Sequence, residues 1–141
     1  MADITFTSSQ VTASADATWG SGTAGATLVV GDVIKFSSSN DKYLLADADD
    51  DIEVTPGDVA IGICMNSASD GQPIHFVTKD PSFDWGAAAA NLAAGGFYSL
   101  STNAGKVGAL ADIGAGEYQQ FLGCGLSTQL MNLNPNMGNG A

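Results

Sequence analysis

Short apolar runs recur along this chain, each bounded by glycine, proline, aspartate or asparagine. The clearest spans Thr27 to Phe36, with Leu28-Val29-Val30 before Gly31-Asp32 and Val33-Ile34-x-Phe36 after it. Ser37–Asp41 has turn chemistry, and Tyr43-Leu44-Leu45 returns as a strand. Pro56-Gly57-Asp58 turns into Val59–Cys64, and Asp70-Gly71 precedes the alternating Ile74-His75-Phe76-Val77. Phe97–Leu100, Lys106–Leu110 and Tyr118–Leu126 repeat the pattern. Strands about every 8–12 residues, with turn signals between them, predict an all-β fold, a small sandwich or barrel. At most one short helix fits, over Asp80–Ala94: Asp80 or Ser82 would cap it and Gly95-Gly96 would end it.

The ends read differently from the middle. Residues 2–27 are mostly Ser, Thr, Ala and Gly, with Ile4, Phe6, Val11 and Trp19 as the sizeable apolar side chains. Ile4-x-Phe6 alternates like a strand, but the segment is too polar to build a core. The expectation is an arm over residues 1–27, a β-rich domain over 28–128, and a flexible polar tail over 129–141. The arm would dock through Ile4, Phe6, Val11 and Trp19 on this chain or on a neighbour, adding a strand to a sheet edge.

Scarce residues also recur in order. Trp19-Gly20 is echoed by Trp85-Gly86, Leu28-x-x-Gly31 by Leu92-x-x-Gly95, and Val33-Ile34-x-Phe36-Ser37 by Phe97-Tyr98-x-Leu100-Ser101. Lys42 answers Lys106, Ile61-Gly62-x-Cys64 answers Leu122-Gly123-Cys124, and Ile4-Thr5-Phe6 resembles Ile74-His75-Phe76. This order predicts two pseudo-repeated β units, about 4–66 and 74–127, with the tryptophans and cysteines in matching environments.

Charge narrows the function. Fifteen acidic residues face four lysines and no arginine, a net charge of −11. Nucleic-acid and anionic-membrane partners need cations that this chain lacks, so neither is expected. The absence of arginine argues against phosphate ligands, and no nucleotide or other cofactor is expected. No apolar run approaches the ~20 residues that span a bilayer. Met1-Ala2-Asp3-Ile4 opens without a basic region or an apolar stretch, which predicts synthesis in the cytoplasm without secretion. Cys64 and Cys124 then read as small buried hydrophobes rather than a bridge.

Motifs for chemistry are sparse. Gly20-Ser21-Gly22-Thr23-Ala24-Gly25 has dinucleotide-loop spacing, but no apolar strand leads into it and no helix follows, so it reads as a flexible glycine linker. Asp47, Asp49, Asp51, Glu53 and Asp58 have the acidic rhythm of a calcium loop. Ile52 stands where glycine is required and Pro56 interrupts, so a solvated acidic loop is the preferred reading and no metal is assigned. His75, the only histidine, should point to solvent from its strand, and no catalytic residues are assigned.

The runs Gly31-Asp32-Val33-Ile34-x-Phe36, Thr55–Ile63 and Gly71–Thr78 resemble the capsid decoration (cement) and head-fibre proteins of tailed bacteriophages. A fainter copy lies in Gly95–Tyr98, Gly116 and Phe121–Leu126, so the resemblance covers about residues 28–128. The acidic loop and the Trp-Gly pairs have no counterpart in it. The resemblance implies a non-enzymatic β-rich subunit, usually a homotrimer, bound to the major capsid protein on the capsid exterior at junctions between capsomers. Two other classes fit the composition. One is a tail or baseplate structural module. The other is a calcium-dependent surface or carbohydrate-binding module using Asp47–Asp58 with Trp19 or Trp85 as a sugar platform.

Overall fold

A computed structural model describes residues 3–37, 40–46, 60–101, 103–109 and 120–135. The chain is all-β. Among the described residues nine strands run in the order β1 (Thr18–Thr23), β2 (Val33–Ser37), β3 (Lys42–Leu45), β4 (Ala60–Cys64), β5 (Pro73–Asp84), β6 (Phe97–Leu100), β7 (Val107–Ala109), β8 (Phe121–Gly125) and β9 (Leu130–Leu133). The described residues contain one turn of 3-10 helix, Ser8–Gln10. All strand pairs are antiparallel, ordered β3-β2-β4-β5-β9-β8-β6-β7, with β1 on the free side of the first half of β5.

The 12-residue β5 makes this order possible. Its first half lies between β4 and β1, and its second half continues beside β9. Two five-stranded sheets therefore share one long strand, and both use one pairing scheme. In the first sheet Ile34 faces Leu45 on β3 and Gly62 on β4. In the second, 64 positions on, Tyr98 faces Ala109 on β7 and Gly123 on β8. The register then slips at the same place, between Ile34 and Lys35 and between Tyr98 and Ser99.

Glycine at the slip has a steric cause. A Cβ on Gly62 would lie 2.4 Å from the Val77 carbonyl oxygen, and one on Gly123 would lie 2.4 Å from that of Asn132. Neighbouring backbones approach too closely there for any side chain. The scheme does not pair the residues that the sequence comparison pairs. Ile63 and Cys124 take matching places, opposite Val33 and Phe97. Trp85, whose N–H donates to Gln129, stands where Gly22 stands in the first sheet rather than where Trp19 does.

Alternation along the strands divides the apolar residues between two cores. Ile34, Cys64, Ile74 and Phe76 point inside the first sheet with Leu28, partly covered by Tyr43 and Leu45. Their neighbours Val33, Ile63 and Val77 point the other way. These join Phe83, Trp85, Tyr98, Leu100, Leu122, Met131 and Leu133 in a larger core. One sheet's outer face is thereby buried with the inner residues of the other.

Four expectations need correction. Asp80–Ala94 forms no helix: Asp80–Asp84 ends β5, and turns follow. Alternate residues Phe83 and Trp85 are both buried, so a period of two governs this stretch despite its alanines. The tail expected from residue 129 contributes β9, whose Met131 and Leu133 are fully buried; residues 136–141 lie outside the described residues. The glycine run is strand β1 rather than a linker, and its glycines leave room for aromatic rings. A Cβ on Gly20 would meet the Phe76 ring at 2.5 Å, and one on Gly22 the Tyr43 ring at 2.2 Å. Residues 3–27, finally, are not set apart from the β-rich domain: of the two dockings expected, the one on this chain is found, and β1 lies within the segment.

Candidate interaction surface

The N-terminal segment fills a gap in the second sheet. In the first sheet the Tyr43 carbonyl on β3 accepts from Gly25, just beyond β1, so that sheet curls and its two outer strands meet at one end through a single bridge. Val107 on β7 is the counterpart of Tyr43 in register. Its carbonyl accepts from Ile4 at 2.8 Å instead. Thr5 then exchanges both backbone bonds with Ala90, and Thr12 does the same with Asp84. Residues 3–12 thus bridge β7 to the end of β5.

Side chains fasten this bridge. Ile4 and Val11 are buried in the larger core. Phe6 is half-buried, its ring 4.8 Å from that of Trp85, and the Lys106 ammonium sits over the Phe6 ring, 5.7 Å from its centre. The hydroxyl of Ser8 donates to the Val30 carbonyl at 3.0 Å. Asp3 accepts from the Ser101 hydroxyl at 2.6 Å and from the Asn103 amide at 2.7 Å. Further along, fully buried Asp80 accepts from the Ser14 backbone and hydroxyl and from the Ser82 backbone. Ile4, Phe6 and Val11, expected as anchors on this chain or on a neighbour, pack in or against the chain's own core.

Trp19 has the opposite placement. It lies on β1 opposite Val77, which faces Ile63, which faces Val33, one row across four strands. The inner three are buried, whereas Trp19, on the outermost strand, is 51 % exposed. A half-open indole at a sheet edge offers a flat apolar face and an N–H donor, the pairing favoured where proteins meet. Trp85 is wholly buried, and its Nε1 has no hydrogen-bond partner. It therefore cannot serve as a sugar platform.

Sequence reading missed other exposed apolar side chains: Val29, Phe97 and Leu126. Phe97 is 56 % exposed, with its ring 6.1 Å from that of Phe121. The missed signal is alternation in Phe97-Tyr98-Ser99-Leu100, where Tyr98 and Leu100 point inward and Phe97 must point out. Val29 lines an open cleft of about 270 Å³ between the N-terminal segment and the loop before β2, with Asp32 and Lys106 in its wall. Burial raises the Asp32 carboxyl above its ordinary pKa; its hydrogen bond from the Val29 N–H and the nearby Lys106 charge oppose that rise.

Chemistry elsewhere is limited. His75 is exposed, as its strand position predicts. Cys64 and Cys124 are free thiols, and burial pushes the Cys64 thiol upward in pKa. Asp47, Asp49, Asp51, Glu53 and Asp58 lie outside the described residues. No group of three or more potential metal ligands occurs among the described residues, and no described helix is long and apolar enough to cross a membrane. Comparison with protein-family models, curated proteins and solved structures finds no match for this chain.

Proposed function

We propose that this chain is a non-enzymatic structural protein of a bacteriophage virion that binds the outer surface of the capsid and stabilises it at junctions between major capsid proteins. The observation that carries the reading is where the resembling runs lie. Gly31–Phe36, the run ending at Ile63 and Gly71–Thr78 supply β2, β4 and the first half of β5, three adjacent strands of one sheet. The clearest part of the resemblance to decoration and head-fibre proteins therefore follows a single structural unit rather than scattered segments.

Trp19, on the strand that borders β5, is the favoured contact with the shell. A net charge of −11 and no arginine leave apolar and backbone contacts as the main attraction, unless the shell presents a basic surface. Many such contacts of modest strength add around a shell through effective concentration.

The test uses capsids of the phage that encodes the chain, stripped of or lacking this protein. Purified wild-type protein should rebind them to a saturating number of copies and raise their melting temperature. Trp19→Ala should weaken rebinding about tenfold or more, the range of an interface anchor. Full-length protein that leaves the capsids undecorated at micromolar concentration would overturn the proposal.

A further inference from the structure

The two sheets share a pairing scheme but close differently, and the difference leaves a slot. Gly25 closes the first sheet against Tyr43 from within the same run of chain as β1. Among the described residues nothing adjacent in sequence does this for Val107; residues 3–12 arrive from the far end and occupy the space between β7 and the end of β5. We propose that this slot is a strand-acceptor site and that residues 3–12 of a second copy are its alternative occupant, exchanged reciprocally between chains.

Two features support exchange. The slot's fit is to a sequence rather than to a particular chain. Backbone bonds at Ile4, Thr5 and Thr12 set the register, and the buried Ile4 and Val11 side chains supply the apolar contact. An identical segment entering from another copy makes the same contacts, so little free energy separates the two arrangements beyond the link and the cost of association. Asp3 is the one charged residue in the segment, and Ile4–Ala13 carries none, so little of the repulsion between chains of −11 falls on the piece that crosses over.

The link sets the geometry. Residues 13–17 join the segment to β1 and read Ala-Ser-Ala-Asp-Ala, small side chains that reorient readily. Fully extended they span about 17 Å at roughly 3.4 Å each, so only copies in direct contact can exchange. The bonds from Ser14 to Asp80 hold the link in its present path. A short flexible link gives the chain's own segment an effective concentration of about millimolar. Exchange therefore competes when copies are packed at that density. Crowding on a shell, the setting of the proposed function, supplies it; concentrated solution supplies it equally.

Asp3 and Ser101 report the occupant, since the carboxylate and hydroxyl meet at 2.6 Å. Two full-length variants, Asp3→Cys and Ser101→Cys, are mixed from dilute to millimolar concentration and oxidised, and bridges are mapped by mass spectrometry. Neither variant can form the 3–101 bridge within one chain. A mixed 3–101 bridge whose yield rises with concentration, and rises further with Ser14→Ala added to both, supports exchange. The double variant Asp3→Cys/Ser101→Cys, oxidised while dilute, should form the bridge within one chain and stay monomeric. If the double variant bridges while the mixture gives no 3–101 bridge at any concentration, the segment serves only its own chain. If the double variant fails to bridge, the segment is not seated as described and the proposal also falls. Both results leave capsid rebinding by the wild-type chain untouched, so the two readings fail separately.

Discussion

The two sheets have one pairing scheme and unequal independence. The first completes itself: β1, β3 and the Gly25–Tyr43 bond all lie on one side of the middle of β5. The second borrows its closing segment from residues 3–12, about ninety positions before β6. Repetition of a fold unit therefore does not guarantee repetition of its stability, because a shared strand and a borrowed one tie the second unit to the whole chain. The aromatic side chains follow the same division. Trp85 fills the core beneath the borrowed strand, while Trp19 stands at the edge of the self-sufficient sheet.

Substitution at Trp85 should separate the tryptophans most sharply. Trp85→Ala opens a large cavity beside Phe6 and Phe83 and should cost about 3–5 kcal/mol of unfolding free energy. Trp19→Ala should change it by about 0.5 kcal/mol or less, since its indole covers no core. Urea titration measures both, and comparable losses would erase the distinction. Trp85→Phe should cost clearly less than the alanine change, because it also removes an N–H that is buried without a partner.

Next in size is a test of the repeated scheme. Gly62→Ala and Gly123→Ala each force a methyl against a backbone oxygen at the register slip and should each cost about 1–3 kcal/mol. Similar losses support equivalence; an innocuous change at one position would break it.

Much of this was legible in the sequence, and the errors have a common origin. The all-β class and most strands follow from turn residues between alternating runs, and the recurrence of Val33-Ile34 in Phe97-Tyr98 falls in the observed register. The tryptophan and cysteine matches do not: the cysteines are out of register by one residue and the tryptophans by three, and an odd shift moves a side chain to the other face. Burial of Ile4 and Val11 was equally hidden: a polar segment looks unanchored until a distant sheet presents a gap of its width. The placement of Trp19 on an outer strand is a tertiary fact that no local pattern encodes. β9 escaped notice because Leu130-Met131-Asn132-Leu133 is short and followed by asparagines.

A smaller effect concerns pH at the cleft shared by the N-terminal segment and the loop before β2. Asp32 has a raised pKa in the fold, chiefly through burial, so the folded state holds its proton more tightly than the unfolded chain does. Its contribution to stability is fully present below the ordinary carboxylate range and is lost as pH rises through the folded value. Asp32→Asn keeps an acceptor for the Val29 N–H but cannot ionise. The melting temperature of wild type relative to Asp32→Asn should therefore fall as pH rises through that window and then level off. A difference that stays constant with pH would show that burial does not govern this carboxyl.

Native-state amide hydrogen exchange on the full chain tests most directly whether the second sheet is closed by the N-terminal segment. Ile4, Thr5 and Thr12 donate backbone bonds to Val107, Ala90 and Asp84, so their amides should be protected on the timescale of Leu100 and Gly125 within that sheet. Exchange of all three at the rate of a free peptide, with the sheet amides still protected, would contradict the account and make residues 3–12 a loose leader.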